Sequence, residues 1–119
     1  MMIEEIPVIG RLGRPDLYRD WSMKVKFIND PGGFLHIYRK PIKDHRYSIG
    51  TDMATGEAVE GGDPDESVSI VIDCETGDQS AVISGFINEE MMVEPLLLLS
   101  EYYNWAYNVC EDAFANFLL

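Results

Sequence analysis

Residues 67–104 read SVSIVIDCETGDQSAVISGFINEEMMVEPLLLLSEYYN, and the fold is decided there. Residues 67–74 are nearly continuously apolar, the pattern of a strand buried in the middle of a sheet. Glu75-Thr76-Gly77-Asp78 is a turn, and residues 79–87 form the next strand, so the two make an antiparallel hairpin. Asn88 is an N-cap, and Glu89 and Glu90 suit the positive end of the helix dipole that follows. The helix is predicted to reach residue 104, with Pro95 either kinking it or marking its true start. Its Leu96-Leu97-Leu98-Leu99 run, with Tyr102 and Tyr103, predicts a helix that buries most of its circumference.

Upstream, residues 47–52 (YSIGTD) alternate as a strand, with Ser48, Gly50 and Asp52 on one face. A loop rich in glycine and acid, 53–66, separates it from the central strand. Downstream, residues 107–112 follow a helical crossover and are predicted to lie parallel to strand 47–52. The order is β-β-β-α-β, an α/β class. Before it, residues 1–20 hold Gly10, Gly13 and Pro15 and read as an irregular arm. Residues 23–28 and 34–38 flank Asp30-Pro31-Gly32-Gly33 and predict a β-hairpin that ends at Arg39-Lys40-Pro41. Two segments are therefore expected: a basic arm with its hairpin over 1–45, and the mixed sheet over 46–119.

The 119 residues suit one domain of ordinary size, and 46% apolar with 25% charged residues is a globular composition. No apolar run is long enough for a membrane span, and acids stand near the start where a secretory signal needs Lys or Arg. Two cysteines, Cys74 and Cys110, without a Cys/His cluster argue against a disulfide scaffold and a zinc module. Both fall on predicted strands and read as buried, inert thiols in a cytoplasmic protein. The net charge of −12 is unevenly spread. All nine Lys and Arg lie in residues 1–46, which carry +3, whereas residues 47–119 carry −15. An acidic body repels phosphates, so nucleic acid could be handled there only with metal ions or with the basic arm.

Motifs for other chemistries are missing. The chain has no GxxxxGK[ST] phosphate loop and no GxSxG elbow. His36 and His45 stand in no triad context and read as structural or surface residues. What remains is a set of carboxylates. Asp52 ends one strand and Glu111 nearly ends the strand expected beside it in parallel, so both emerge at one sheet edge. Asp65 can return to that edge from the acidic loop. Solvated acids at strand ends are common; carboxylates that converge without basic neighbours need a cation among them, and Mg²⁺ or Mn²⁺ suits such hard oxygen donors.

Several stretches, in order, carry a resemblance. Residues 32–41 (GGFLHIYRKP) lead into 45–52 (HRYSIGTD); Asp63-Pro64-Asp65-Glu66-Ser67 follows a Gly-rich loop; Asp73-Cys74-Glu75-Thr76-Gly77 makes a strand-turn; and Tyr102-Tyr103-Asn104-Trp105-Ala106 precedes Glu111. Over residues 21–114 this resembles the nuclease domain of the large terminase subunit of tailed bacteriophages. The resemblance implies an RNase H-like sheet and a Mg²⁺- or Mn²⁺-dependent endonuclease that cuts double-stranded DNA during genome packaging in the bacterial cytoplasm. It implies that Asp52 and Glu111 are catalytic metal ligands and Asp65 an auxiliary one. It also implies contact with other terminase or portal subunits, and no membrane. Two departures stand out: Ala113 replaces the family's usual Asn two residues after the acid, and the chain stops before the family's last metal-binding Asp. A partial domain, weak or inactive alone, is therefore expected, as from a split or prophage-derived gene. The alternative is a non-catalytic interaction module that pairs or self-associates through exposed apolar surface. Another RNase H-like nuclease, such as a junction resolvase, is disfavoured by the Tyr-Asn-Trp-Ala stretch.

Overall fold

In β5 (Ser67–Asp73) every second side chain, Ser67, Ser69, Val71 and Asp73, is buried on one face, while Val68, Ile70 and Ile72 are half-buried on the other. Buried on one face and half-buried on the other, β5 is an interior strand of the sheet. The structure, a computed structural model, describes residues 5–13, 24–54 and 66–110. β4 (Tyr47–Asp52) pairs antiparallel with β5, from Tyr47 opposite Asp73 to Asp52 opposite Val68. β6 (Gln79–Gly85) pairs with the other side of β5, with an irregularity between Val71 and Ile72. β7 (Tyr107–Cys110) runs parallel to β4, with Ser48 opposite Tyr107 and Thr51 opposite Cys110. With β1 (Val8–Gly13), β2 (Lys26–Asn29) and β3 (Leu35–Ile37), the order is β2-β1-β3-β6-β5-β4-β7, an open mixed sheet of seven strands.

One helix, α1 (Glu89–Tyr102), covers a face of this sheet among the described residues. Asn88 caps it by accepting from the Met91 amide at 2.8 Å. Met92, Leu96, Leu99 and Tyr103 have no exposed surface, and their spacing of four, three and four residues makes one stripe. The stripe packs over the row Ile37, Ala81, Val71 and Ile49, which lie opposite one another on successive strands. Each fully buried apolar side chain contributes about 1.5–3 kcal/mol.

Four expectations need correction. The segments before and after Asp30-Pro31-Gly32-Gly33 do not pair with each other; β1 lies between them, bonded to both. The glycines that read as breakers permit this insertion: a Cβ on Gly10 would meet the Ile28 carbonyl, and one on Gly33 would meet the Gly10 carbonyl. The helix buries a stripe rather than most of its circumference, since Leu97 and Met91 are half-exposed. Residues 8–13, read as part of an irregular arm, form β1, while Pro95 lies inside α1, one of its two readings. Cys74 is exposed, because β5 ends at Asp73, whose carboxylate accepts from the Glu75 amide at 2.8 Å and turns the chain.

Candidate metal centre

Asp52 is the last residue of β4 and its side chain is exposed. The backbone around it is fixed from two sides. Thr51 Oγ1 and Ser69 Oγ share a hydrogen bond of 2.9 Å across the β4–β5 pair. Just beyond, Met53 is buried, and the Ala54 amide donates to Ser67 Oγ at 3.0 Å. Ser67, fully buried, donates its own hydroxyl hydrogen bond to the Ile87 carbonyl at 2.8 Å. Strand, buried Met and serine relay hold the Asp52 backbone while its carboxylate faces outward. Among the described residues Asp52 has no ion-pair partner. An open carboxylate on a fixed strand end can offer both oxygens to a cation.

Asp65 and Glu111 lie outside the described residues. Among the residues described, no group of three or more His, Cys, Asp or Glu could hold a metal ion. In the described part of the β4–β7 register, Thr51 stands opposite Cys110 in parallel, and Asp52 is the next residue of β4.

The other end of β4 holds a pair that sequence reasoning missed. His45 Nδ1 lies 2.8 Å from Asp73 Oδ2, with the Asp73 carboxylate buried and the imidazole partly open. Burial pushes the Asp73 carboxyl up, but hydrogen bonds from His45 and from the Glu75 amide outweigh it and hold the group below its ordinary value. The two residues are 28 apart in sequence, and no motif joins them; the Tyr47–Asp73 register does. Nearby, Glu75 and Arg46 pair at 3.0 Å on the surface, which lowers the carboxyl and raises the guanidinium. His36 is half-buried in mid-sheet, opposite Ile9 and Val82. A cleft of about 420 Å³ between α1 and the β1–β3–β6 part of the sheet is lined mainly by apolar groups, Leu12, Phe34, Leu35 and Ile83 among them, and Asp52 is not part of it.

No protein-family model matches the chain, and no curated protein matches it. Solved structures do. The large terminase nuclease of thermophilic phage G20c is 30% identical at a TM-score of 0.59, over 75% of this chain and 47% of that one. The same nuclease with bound cobalt is 28% identical at a TM-score of 0.60, over 75% and 46%. With bound magnesium the values are 29% and 0.57, over 73% and 46%. The chain thus spans about half the length of the nuclease structures it matches. Its open mixed sheet and helix have the RNase H-like arrangement of a terminase nuclease, and the chain fits part of such a domain. Among the described residues no helix is long and apolar enough to cross a membrane.

Proposed function

We propose that the chain is part of a phage large-terminase nuclease, a divalent-metal-dependent endonuclease that cleaves double-stranded DNA during genome packaging. The observation that carries this reading is the parallel β4–β7 register, in which Thr51 stands opposite Cys110 and Asp52 ends β4, Glu111 being the residue after Cys110 in sequence. Likeness to a nuclease solved with cobalt, magnesium and zinc supports a divalent cation there. Asp52 and Glu111 would hold it, with Asp65 as an auxiliary ligand. Bound Mg²⁺ or Mn²⁺ supplies an activated water and stabilises the leaving oxygen of a phosphodiester. The chain's own part is to hold the Asp52 carboxylate open and fixed, through the serine relay described above.

Three carboxylates are few for two ions, so the 119-residue chain alone is expected to nick plasmid DNA weakly or not at all in Mn²⁺. The direct test is a thermal melt with and without Mn²⁺. Metal that binds only the native state adds about 2.7 kcal/mol at a hundredfold excess over Kd. Asp52→Asn is expected to remove most of that gain. An equal rise in the variant means general screening of the acidic surface, and the metal centre is then discarded. A second reading, a non-catalytic interaction module, is favoured by the sheet face opposite α1. There Val68, Ile70, Ile72 and Val82 are half-buried, Tyr107 and Val109 are exposed, and no described helix covers them. It takes the lead if Mn²⁺ leaves the melt unchanged.

A further inference from the structure

The β3–β4 connection, residues 38–46, reads YRKPIKDHR and carries four of the chain's nine basic residues against one acid. It has no strand or helix of its own, yet it is tied down throughout. The Tyr38 and Arg39 amides both donate to the Ser80 carbonyl, at 2.9 and 3.0 Å. Tyr103 Oη donates to the Arg39 carbonyl at 2.7 Å, and the Ile42 amide donates to Tyr47 Oη at 2.8 Å. Asn104 Nδ2 donates to the Ile42 and His45 carbonyls, at 2.8 and 2.9 Å. The His45–Asp73 pair and the bond from the Cys74 amide to the Arg46 carbonyl close the far end.

All of these bonds engage the loop backbone or His45, and none engages a lysine. Lys40 and Lys43 are exposed and, among the described residues, have no ion-pair partner. Among the described residues Arg39 and Arg46 pair only with surface acids, Glu5 and Asp78 for the first and Glu75 for the second. Exposed pairs of this kind are weak and screened by salt, so a phosphate can compete for them. Beside the loop, Asn104 and Trp105 both take left-handed backbone angles, φ 58° and 60°, and Trp105 is 74% exposed. A tied-down loop that presents ammonium groups without ion-pair partners among the described residues is suited to the phosphates of a polyanion.

We infer that this loop is a docking surface for the phosphodiester backbone of duplex DNA, acting from the end of β4 opposite Asp52. The choice of polyanion rests on the nuclease reading; the basic surface does not. The charge distribution supports the assignment, because residues 47–119 carry −15 without a Lys or Arg, so phosphates can be met only by basic residues of the first 46, among which those of this loop stand. The six residues of β4 set the loop about 17 Å from Asp52, roughly five nucleotides along one DNA strand. DNA anchored at the loop can therefore reach the candidate metal centre.

The test is fluorescence anisotropy with a labelled 20-base-pair duplex in EDTA, over a series of salt concentrations. EDTA removes any dependence on the metal. The proteins are the wild type, Lys40→Ala/Lys43→Ala, the equal-charge control Lys24→Ala/Lys26→Ala on β2 and its approach, and Asp52→Asn. The loop variant is expected to bind about tenfold more weakly at low salt, with a salt slope reduced by about two. The β2 control is expected to lose less, and Asp52→Asn to bind at least as tightly as wild type. Circular dichroism melts establish that the lysine variants stay folded, as their solvent-facing side chains predict. Wild-type-like binding by the loop variant, equal losses in both lysine pairs, or no binding by the wild type each overturns the docking surface. The nuclease reading is decided separately by the Mn²⁺ melts, so loop-dependent binding without a Mn²⁺ response leaves the docking surface standing alone.

Discussion

At the Tyr47 end of β4, polar side chains close on one another. The Tyr47 and Tyr103 rings meet edge-on with centroids 5.0 Å apart, their hydroxyls bind the Ile42 amide and the Arg39 carbonyl, and Asp73 accepts from both His45 and the Glu75 amide. Burial pushes both tyrosine hydroxyls above their ordinary pKa, so they stay neutral hydrogen-bonding groups. At the Asp52 end, five residues along the same strand, the bonds join Thr51 to Ser69 and hold the Ala54 amide, and the carboxylate is left open. A strand end whose buried polar groups are all taken is an anchor, and what it leaves for a ligand is the exposed lysines of the adjoining loop. One whose carboxylate lacks a partner keeps its own capacity for a ligand, and rigidity reaches it from the anchored end and from the Ser67 relay.

The contrast breaks most severely at Tyr103. It is fully buried, packs on Tyr47 and Tyr102, and holds the β3–β4 loop through Arg39. Tyr103→Ala is expected to cost about 3–5 kcal/mol in urea denaturation, the range for removing a buried aromatic side chain. Tyr103→Phe keeps the ring and loses one hydrogen bond, at about 1 kcal/mol. Equal losses in the two variants mean that the hydroxyl, and not the packing, anchors this end.

At the open end the corresponding residue is Ser67. Removing its hydroxyl leaves the Ala54 amide and the Ile87 carbonyl without their partner, and Ser67→Ala is expected to cost about 1–3 kcal/mol. It is also expected to shrink the Mn²⁺ shift in the melt, because the segment after Asp52 is no longer tied. A full Mn²⁺ response in Ser67→Ala shows that the relay stabilises the fold and does not position the carboxylate.

The two ends also differ in how far the sequence announces them. Strand 47–52, its parallel neighbour and the Asn88 cap follow from alternation, crossover length and capping chemistry, which are local signals. Asp52 at a strand end is equally local. The insertion of β1 between β2 and β3 is not, because Gly10 stands where apolar alternation needs a side chain, and only the close approach of β2, whose Ile28 carbonyl a Cβ would meet, explains it. The His45–Asp73 pair is likewise a product of register: neither residue's neighbours in sequence imply the other. Asp73 read as part of a strand-turn and His45 as part of a basic turn, and both readings hold as far as they go. Exposure of Cys74 depended on where β5 stops, and a one-residue shift of that boundary moves the thiol from core to solvent.

The smallest expected effect is a slope, and it tests whether the anchored end is electrostatic as well as packed. Asp73 has its pKa depressed in the fold, so it contributes stability that is present above its unfolded value, near 3.8, and is lost as pH falls through the lower folded value. Urea midpoints measured from about pH 6 down to about pH 3 should fall more steeply for the wild type than for Asp73→Asn, whose amide does not titrate. Glu75 is depressed too, through Arg46, and titrates in both proteins, so the difference between the curves belongs to Asp73. His45→Ala removes one of the hydrogen bonds that hold the Asp73 carboxyl down, while burial still pushes it up. Its acid limb should therefore begin at a higher pH than the wild type's. Superimposable limbs for wild type and His45→Ala mean that the Glu75 and Thr76 amides set the Asp73 charge without the histidine, which then only fills space at the end of the loop.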